Sequence, residues 1–366
     1  MSPAPVGKRP WLAGRPNVWQ HDNCAGITPA EVPPIESLRM SSALHVLTGA
    51  AGFIGSHLAD ALLARGDAVI GIDDLSLGTR ENLAASSANP RFSLHVGDLN
   101  DAEATNAAVT AAAVGRPIDT LWHLAANSDI QAGVADPEVD LRRTFMTTYS
   151  AVGLCRRHGI RRVVFASTSA VYGELPGPLR ENAGPLFPIS NYGAMKLASE
   201  AALTAATTGT LDAVAIARFP NVVGSRSTHG VLHDFLAKLT ATPGRLVVLG
   251  DGTQEKPYVH VSDLVRGLLF IRYGLDERIA CYNLGDGRTA TSVAEIARLV
   301  IERRSPGATI EYTGGNRGWA GDVPRFQYDC SRIHARGWQP TMTSTEAIAK
   351  AIDELVAAAR EDSGGS

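Results

Sequence analysis

The fold is decided by residues 44–55, which read LHVLTGAAGFIG. The first five, Leu44–Thr48, have the composition of a short buried strand, and a helical pattern begins near residue 53. Between them, Gly49, Gly52 and Gly55 permit a tight turn, close approach of a pyrophosphate and close packing of helix on strand. The N–H groups and the dipole at the start of the helix then face the phosphates. The stretch predicts a dinucleotide site at a strand–helix junction.

A carboxylate occupies the position at which such a site binds the adenosine ribose. Asp73 follows the second predicted strand, Ala68–Ile72, and lies eighteen residues beyond Gly55. It can accept hydrogen bonds from both ribose hydroxyls and would repel a 2′-phosphate, so the sequence predicts NAD rather than NADP. The alternative interpretation is that Asp73 caps the N-terminus of a helix.

The next two predicted strands end in residues suited to the same cofactor. Asp98, in Gly97-Asp98-Leu99, can bind the adenine amino group, and the small Ala125 lets the backbone approach the cofactor. All these positions lie at the carboxyl ends of strands, where open parallel sheets bind ligands. The residues assigned to the cofactor are Gly49, Gly52, Phe53, Ile54, Gly55, Asp73, Asp98, Leu99, Ala125, Tyr192 and Lys196.

Strands and helices alternate along this half of the chain, which is typical of a parallel, doubly wound sheet. The predicted strands are Leu44–Thr48, Ala68–Ile72, Phe92–Val96, Thr120–Leu124, Arg162–Ala166 and Ala213–Phe219, with helices near 53–65, 102–114, 138–158 and 191–208. After Asn221 the elements become shorter and less regular, with strands near 245–249, 258–261 and 309–312 and helices near 262–273, 291–304 and 343–360.

These elements predict an α/β protein with a Rossmann-type doubly wound parallel sheet and a smaller α/β C-terminal lobe for the substrate. The NAD-binding domain is expected over residues 41–220, and the lobe mainly over 221–360. Residues 1–40 hold seven of the 20 prolines and show no apolar periodicity, so they predict a disordered extension. The alternative for the extension is an arm that packs on a partner.

Composition and charge exclude several classes of protein. Thirty-four basic and 37 acidic residues give a net charge of −3, which selects neither nucleic acid nor an anionic membrane. Uninterrupted apolar runs, such as Leu268–Ile271, fall well short of the roughly 18 residues of a membrane span. Four widely spaced cysteines fit free thiols in a reducing cytoplasm. His229 and His233 lack an evident third ligand, so no metal site is predicted.

A second constellation indicates proton transfer. Tyr192 and Lys196 are four residues apart at the start of a predicted helix, so they share one face. A phenol is a poor base at neutral pH, but a nearby ammonium group in a buried site favours the phenolate. The fifth predicted strand ends in Ser167, Thr168 and Ser169, and one of these hydroxyls can hold a substrate hydroxyl while Tyr192 takes its proton.

With these motifs the chain resembles the extended short-chain dehydrogenase/reductases, specifically the NDP-sugar epimerase/dehydratase family. The resemblance covers residues 43 to about 358, in order and with plausible spacing. The motifs that carry it are Gly49–Gly55, Asp73, Asp98, Tyr192 with Lys196, RFPN at 218–221, GDG at 250–252, HVSD at 260–263 and GDVP at 321–324.

The resemblance implies roles for individual residues. The catalytic hydroxyl is the one four residues before Tyr172, which is Thr168. Asn221 is expected to contact the diphosphate of a nucleotide sugar, and Lys256 and Arg317 are expected to hold its phosphates. For both basic residues a solvated surface position remains the alternative.

Two further expectations come from the same resemblance. Phe326 is expected to border the C2 substituent of the sugar, which favours UDP-glucose and UDP-galactose over N-acetylated sugars; filling the core between the lobes is the alternative. The helical stretches 138–158 and 191–208 correspond to the helices that join two subunits in this family, so a homodimer is expected. An intramolecular helix face is the alternative.

The residues after Thr168 narrow the reaction. Dehydratases of this family resemble Thr-Asp-Glu at this point, and decarboxylases usually keep a Glu at the position of Ala170, whereas this chain has Ser169-Ala170 without a carboxyl group. The resemblance therefore implies an epimerase that oxidises a hexose at C4 and returns the hydride. The alternatives are another NDP-sugar oxidoreductase (a 4-ketoreductase, a uronic-acid epimerase or a decarboxylase) and a non-catalytic nucleotide-binding protein.

Overall fold

The computed structural model describes residues 42–274, 276–315, 323 and 325–364, with side chains described as far as residue 360. The strands, in chain order, are β1 (Leu44–Thr48), β2 (Ala68–Asp73), β3 (Phe92–Val96), β4 (Ile118–His123), β5 (Arg162–Ala166), β6 (Pro178–Leu179), β7 (Ala213–Arg218), β8 (Asn221–Val223), β9 (Arg245–Val248), β10 (Glu255–Lys256), β11 (Tyr258–His260), β12 (Ile279–Asn283), β13 (Thr291–Ser292), β14 (Thr309–Tyr312) and β15 (Gln327–Tyr328). The predicted extension over residues 1–40 lies outside the described residues.

The helices connect these strands. In chain order they are α1 (Phe53–Ala64), α2 (Ala84–Ser87), α3 (Ala102–Ala113), α4 (Ile130–Ala135), α5 (Pro137–Asp140), α6 (Thr147–His158), α7 (Asn191–Ala206), α8 (Val231–Ala241), α9 (Val261–Gly274), α10 (Val293–Arg304), α11 (Ser331–Ala335) and α12 (Ser344–Gly364).

Seven of the described strands form one parallel sheet in the order β12-β7-β5-β4-β1-β2-β3. β1 lies between β2 and β4, so the strand order reverses at β1. The connections that follow β1 and β4 diverge to opposite faces of the sheet and leave a crevice at the carboxyl ends of the strands. This topology confirms the predicted Rossmann-type doubly wound α/β fold.

Apolar side chains fill both faces of the sheet. Along β1, Leu47 faces a cluster that includes Leu58 of α1 and Leu268 of α9, whereas Val46 faces a cluster that includes Val109 of α3 and Leu154 of α6. The alternation follows from the period of two in a strand. A third cluster joins α8, α10 and α12 to β9 in the second half of the chain.

Several elements differ from those predicted, among them one divided helix, one strand of the main sheet and α8. The helix expected over 138–158 is divided into α5, a π-helical turn at Leu141–Met146, and α6. β12 and α8 lie outside the predicted elements. β12 returns from the second half of the chain to pair with β7, so part of the expected substrate lobe completes the main sheet. The division into domains at residue 220 stays a prediction.

Candidate functional site

A continuous cleft of about 1650 Å³ runs along the carboxyl edge of the sheet. The ends of β1 to β5 line it, together with the segments around β8, α8 and β10. The residues assigned from the sequence that line it are Gly49, Gly52, Phe53, Ile54, Gly55, Asp73, Asp98, Leu99, Ala125, Thr168, Tyr192, Lys196, Asn221 and Lys256.

The glycine-rich turn after β1 forms a cradle. Gly49 has a φ of +70°, and a Cβ there would lie 2.8 Å from the backbone nitrogen of Ala125. A Cβ on Gly55 would overlap the carbonyl oxygen of Gly49. Gly52 is the N-cap of α1 and has no side-chain cap, so the first N–H groups of the helix stay open to an anion. The turn fits the pyrophosphate of a dinucleotide.

Asp73 joins this cradle to the end of β2. Its carboxylate accepts hydrogen bonds from the N–H of Ala51 (2.8 Å) and of Leu75 (2.9 Å), one on each oxygen, and the residue lines the cleft, where a carboxylate can accept from a ribose hydroxyl. The Leu75 bond closes a local turn, so Asp73 does not cap a helix. Burial raises the pKa of Asp73, and hydrogen bonding from the backbone of Leu75, Ala51 and Gly52 opposes that rise.

Asp98 and Leu99 lie at the end of β3, on the adenine side expected for the cofactor. Asp98 is exposed and its Oδ1 accepts a hydrogen bond from the N–H of Asn100 (2.9 Å), while Leu99 is buried. Together with Asp73 and the cradle, they make a donor and acceptor set that fits NAD.

His123, at the end of β4, was not among the residues singled out from the sequence. Its Nδ1 lies 2.8 Å from Thr48 Oγ1, its Nε2 lies 3.0 Å from Thr148 Oγ1, and Thr148 donates to Ser199 Oγ (2.9 Å). Burial lowers the pKa of His123 to about 3, so the ring is neutral. The chain of hydrogen bonds ties β1, β4 and α6 to α7. Its role could have been suspected from the sequence, because His123 lies near the end of a predicted strand and precedes the small residues expected at the cofactor.

Thr168 presents its hydroxyl at the end of β5. It caps a 3-10 turn, Ser169–Tyr172, and its Oγ1 accepts a hydrogen bond from the N–H of Ala170 (3.1 Å). Ser167 is fully buried and donates to Glu200 (2.5 Å), away from the cleft. Of the three hydroxyls considered from the sequence, Thr168 lines the cleft.

Tyr192 lies in the first turn of α7, with a side-chain hydrogen bond to Thr168. Burial raises the pKa of Tyr192, and the bond with Thr168 opposes that rise. Gly193 lets α7 approach the turn after β5, because a Cβ there would lie 2.6 Å from the carbonyl oxygen of Ala170. The helix start and the strand end are thereby held in direct contact.

Lys196 is one turn further along α7 and is 2% exposed. Its Nζ donates to the carbonyl oxygen of Ala166 (2.7 Å) and lies 5.8 Å from the centroid of the Tyr192 ring. Burial lowers the pKa of Lys196 to about 7, and the carboxylates of Glu200 and Asp140 oppose that fall. The arrangement places an ammonium group beside a phenol in a water-poor site.

The other end of the cleft holds the residues expected to bind the substrate. Asn221 begins β8 and Lys256 ends β10. The start of α8 also lines the cleft, and its N-cap, Gly230, provides no side-chain cap. Sequence reasoning missed α8, although Gly230 precedes apolar residues at helical spacing.

Two residues expected at the substrate, Arg317 and Phe326, remain to be placed. Arg317 lies outside the described residues. Phe326 is not among the residues that line the cleft; its ring packs edge-on against Tyr328 at 6.2 Å and borders the main hydrophobic core. The placement favours the core-filling alternative, because a ring packed against a buried aromatic excludes more apolar surface from water.

Known proteins share this architecture. The model of the NAD dependent epimerase/dehydratase family matches residues 45–285. The chain belongs to this family. Its membership confirms the resemblance inferred from the motifs and confirms NAD as the cofactor.

The relatives of this family member have different named activities. A UDP-glucose 4-epimerase of Azospirillum brasilense is 33% identical over 327 residues, which cover 83% of this chain and 89% of the relative. UDP-glucuronic acid decarboxylase 1 of Arabidopsis thaliana is 31% identical over 319 residues, which cover 85% of this chain and 69% of the relative. The structure of the UDP-glucose 4-epimerase of Thermus thermophilus, in complex with NAD, is 29% identical with a TM-score of 0.75 and covers 86% of this chain and 99% of that one.

Two absences hold for the part of the chain that the structure describes. The helices in those ranges include none with an apolar stretch of the length that spans a bilayer. Within the same ranges, no group of three or more His, Cys, Asp or Glu side chains is placed to hold a metal ion.

Proposed function

We propose that this protein is a nucleotide-sugar 4-epimerase that interconverts UDP-glucose and UDP-galactose. The observation that carries the proposal is the meeting of Thr168, Tyr192 and Lys196 in the cleft, beside a turn, Ser169–Tyr172, whose sequence SAVY contains no carboxylate. Oxidation and re-reduction at one carbon need a proton relay and no further acid.

Each residue has a distinct task in this reaction. When bound, NAD supplies reversible hydride exchange at C4 of the hexose. Thr168 holds the C4 hydroxyl, and Tyr192 takes its proton and later returns it. Lys196 stabilises the phenolate of Tyr192 by charge, which counts for more in a buried site than in water.

The far end of the cleft suits a nucleoside diphosphate. Lys256 supplies positive charge, Asn221 supplies an amide, and the uncapped start of α8 presents N–H groups to an anion. Binding energy from this remote part of the substrate can orient the hexose at Tyr192.

The test is whether the purified protein carries NAD and interconverts UDP-glucose and UDP-galactose without added cofactor. Tyr192→Phe serves as the control: it should keep NAD and the fold but lose at least ~10²-fold in turnover. A panel of UDP-, dTDP-, GDP- and CDP-sugars, with UDP-glucuronic acid included, identifies the substrate. Release of CO₂ from UDP-glucuronic acid, or stoichiometric consumption of NAD(P)H, would contradict the proposal in favour of another oxidoreductase.

We further propose that the protein acts as a homodimer in the cytoplasm. α6 and α7 pack side by side, and Tyr149, Ala201 and Ala205 on them are exposed. An aromatic side chain and small residues on neighbouring helices suit close packing against a second copy.

A further inference from the structure

Four charged side chains, the catalytic lysine among them, are buried together. Glu200 receives two hydrogen bonds from Arg218, at 2.9 and 2.6 Å, and a third from Ser167. Because these bonds occupy Glu200, its charge is matched by Arg218 rather than by Lys196. Lys196 donates a hydrogen bond to a neutral carbonyl, that of Ala166, and needs another counter-charge.

Asp140, the last residue of α5, is a buried acid with one carboxylate oxygen that accepts no hydrogen bond from the described residues. The residue is 0% exposed, and its Oδ1 accepts a hydrogen bond from Asn127 Nδ2 (2.9 Å). Its Oδ2 is buried and has no hydrogen-bond partner among the described residues. Gly133 makes room for this oxygen, because a Cβ there would overlap it.

The same segment contacts the start of the catalytic helix. The carbonyl oxygen of Gly133 accepts a hydrogen bond from Asn191 Nδ2 (2.8 Å), and Asn191 directly precedes Tyr192. α5 packs against α7 as well. Asp140 is therefore held beside the helix that carries both catalytic side chains.

We propose that Asp140 is the counter-charge of Lys196, a positioning residue that acts through Lys196 and Tyr192 without touching the substrate. With it, the buried set is balanced: Arg218 with Glu200, and Lys196 with Asp140. The kinetic part of its test rests on the proposed function, whereas the unfolding part does not.

The surrounding charges agree with this pairing. Burial lowers the pKa of Lys196 to about 7, while the charges of Glu200 and Asp140 raise it. Burial raises the pKa of Tyr192, Thr168 lowers it and Asp140 raises it. Burial also raises the pKa of Asp140, while the side chains of Asn127 and Thr144 and the charge of Lys196 lower it and Asp129 raises it. His123 is neutral, because burial and the charge of Lys196 lower its pKa.

The first test is the pH profile of kcat/KM for Asp140→Asn, a nearly isosteric change that keeps an acceptor for Asn127. Loss of one negative charge lowers the pKa of both Tyr192 and Lys196, so both limbs of the profile should move to lower pH by about one unit. The control is Asp136→Asn, which removes an exposed carboxylate four residues away and keeps the cap of α5. Its profile should not move.

The second test needs no substrate. The folded-state pKa of Lys196, about 7, lies below its ordinary value of 10.5, so between these pH values the unfolded chain binds more protons and the free energy of unfolding rises with pH. In Asp140→Asn this rise should begin at a lower pH, as measured by urea unfolding between pH 6 and 9. The proposal is overturned if Asp140→Asn shifts neither the limbs of the kcat/KM profile nor the pH at which the free energy of unfolding begins to rise. This holds even if the variant loses activity, because a merely structural Asp140, or one that is protonated, would shift neither quantity. A shifted onset in a protein without epimerase activity would support Asp140 and reject the proposed function.

Discussion

At the scale of single residues, the neighbouring side chains of Ser167 and Thr168 after β5 point in different directions. Ser167 points into the interior to meet Glu200, while Thr168 accepts from Ala170 and lines the cleft beside Tyr192. One residue of register decides which side chain can reach a substrate, because successive side chains of an extended segment point to opposite sides.

This geometry predicts the outcome of a substitution series at Thr168. Thr168→Ser keeps a hydroxyl at the same position and should retain much of the activity. Thr168→Val has the same shape without the hydroxyl and should lose roughly 10²-fold in kcat, the scale of a positioned proton-transfer partner. Ser169→Ala is the control. Normal turnover by Thr168→Val together with loss in Ser169→Ala would show that the hydroxyl is assigned to the wrong residue.

Asp73 is expected to set the choice between NAD and NADP. A 2′-phosphate would meet a buried carboxylate that already serves two backbone N–H groups. NAD should therefore bind at least ~10-fold tighter, which corresponds to about 1.4 kcal/mol. Titrating both oxidised cofactors into stripped protein measures the difference, and Asp73→Asn should narrow it. Equal affinities in the unmodified protein would rule out this role of Asp73.

At the scale of elements, a buried ion pair fastens the catalytic helix to the sheet. Arg218 at the end of β7 holds Glu200 of α7 in a two-bond contact, and its guanidinium lies 4.9 Å from the centroid of the Tyr172 ring. Both ionic side chains are 6% exposed. α7, β7 and the turn after β5 are thus joined directly behind Thr168.

Breaking this pair should destabilise the fold. Arg218→Met leaves Glu200 buried without its partner, which typically costs about 3–5 kcal/mol in free energy of unfolding. The double variant Arg218→Met/Glu200→Met should regain much of that loss, because no uncompensated charge remains. Urea unfolding measures both, with the exposed pair Arg245–Glu311 as the matched control. A single variant as stable as Arg245→Met would contradict this account.

At the scale of the whole molecule, the order of strands gathers residues that are distant in the chain into one cleft. Gly49, Asp73 and Thr168 reach it because parallel strands end at the same edge of a sheet, and Lys256 reaches it from β10, which belongs to a separate two-stranded sheet. α6 and α7 pack side by side, and the residues that they expose to solvent are the proposed contact with a second copy.

The proposed dimer predicts a change of mass on substitution of that surface. Ala205→Glu places a charge among small residues and should convert a dimer to a monomer at micromolar concentration in light scattering. Ala358→Glu, on the exposed side of α12, is the control and should leave the mass unchanged. A monomeric mass for the unmodified protein would contradict the proposal itself.

The sequence by itself determined the parts of this protein that depend on local rules. The strand, glycine turn and helix over residues 44–55 occur as predicted, as do Asp73 at the end of β2 and Tyr192 with Lys196 near the start of α7. Glycine at a positive φ, the period of a strand and the period of a helix are set by neighbouring residues, so a short window of sequence contains the information.

Only the tertiary structure decided the features that depend on distant contacts. β12 became part of the main sheet through pairing with β7, and α8 turned its uncapped start to the cleft. Phe326 packs against Tyr328 and does not line the cleft, and Asp140 keeps one buried carboxylate oxygen without a hydrogen-bond partner among the described residues. The physical reason is the same in each case: strand partners, side-chain direction and burial are settled by packing between segments that are far apart in the chain.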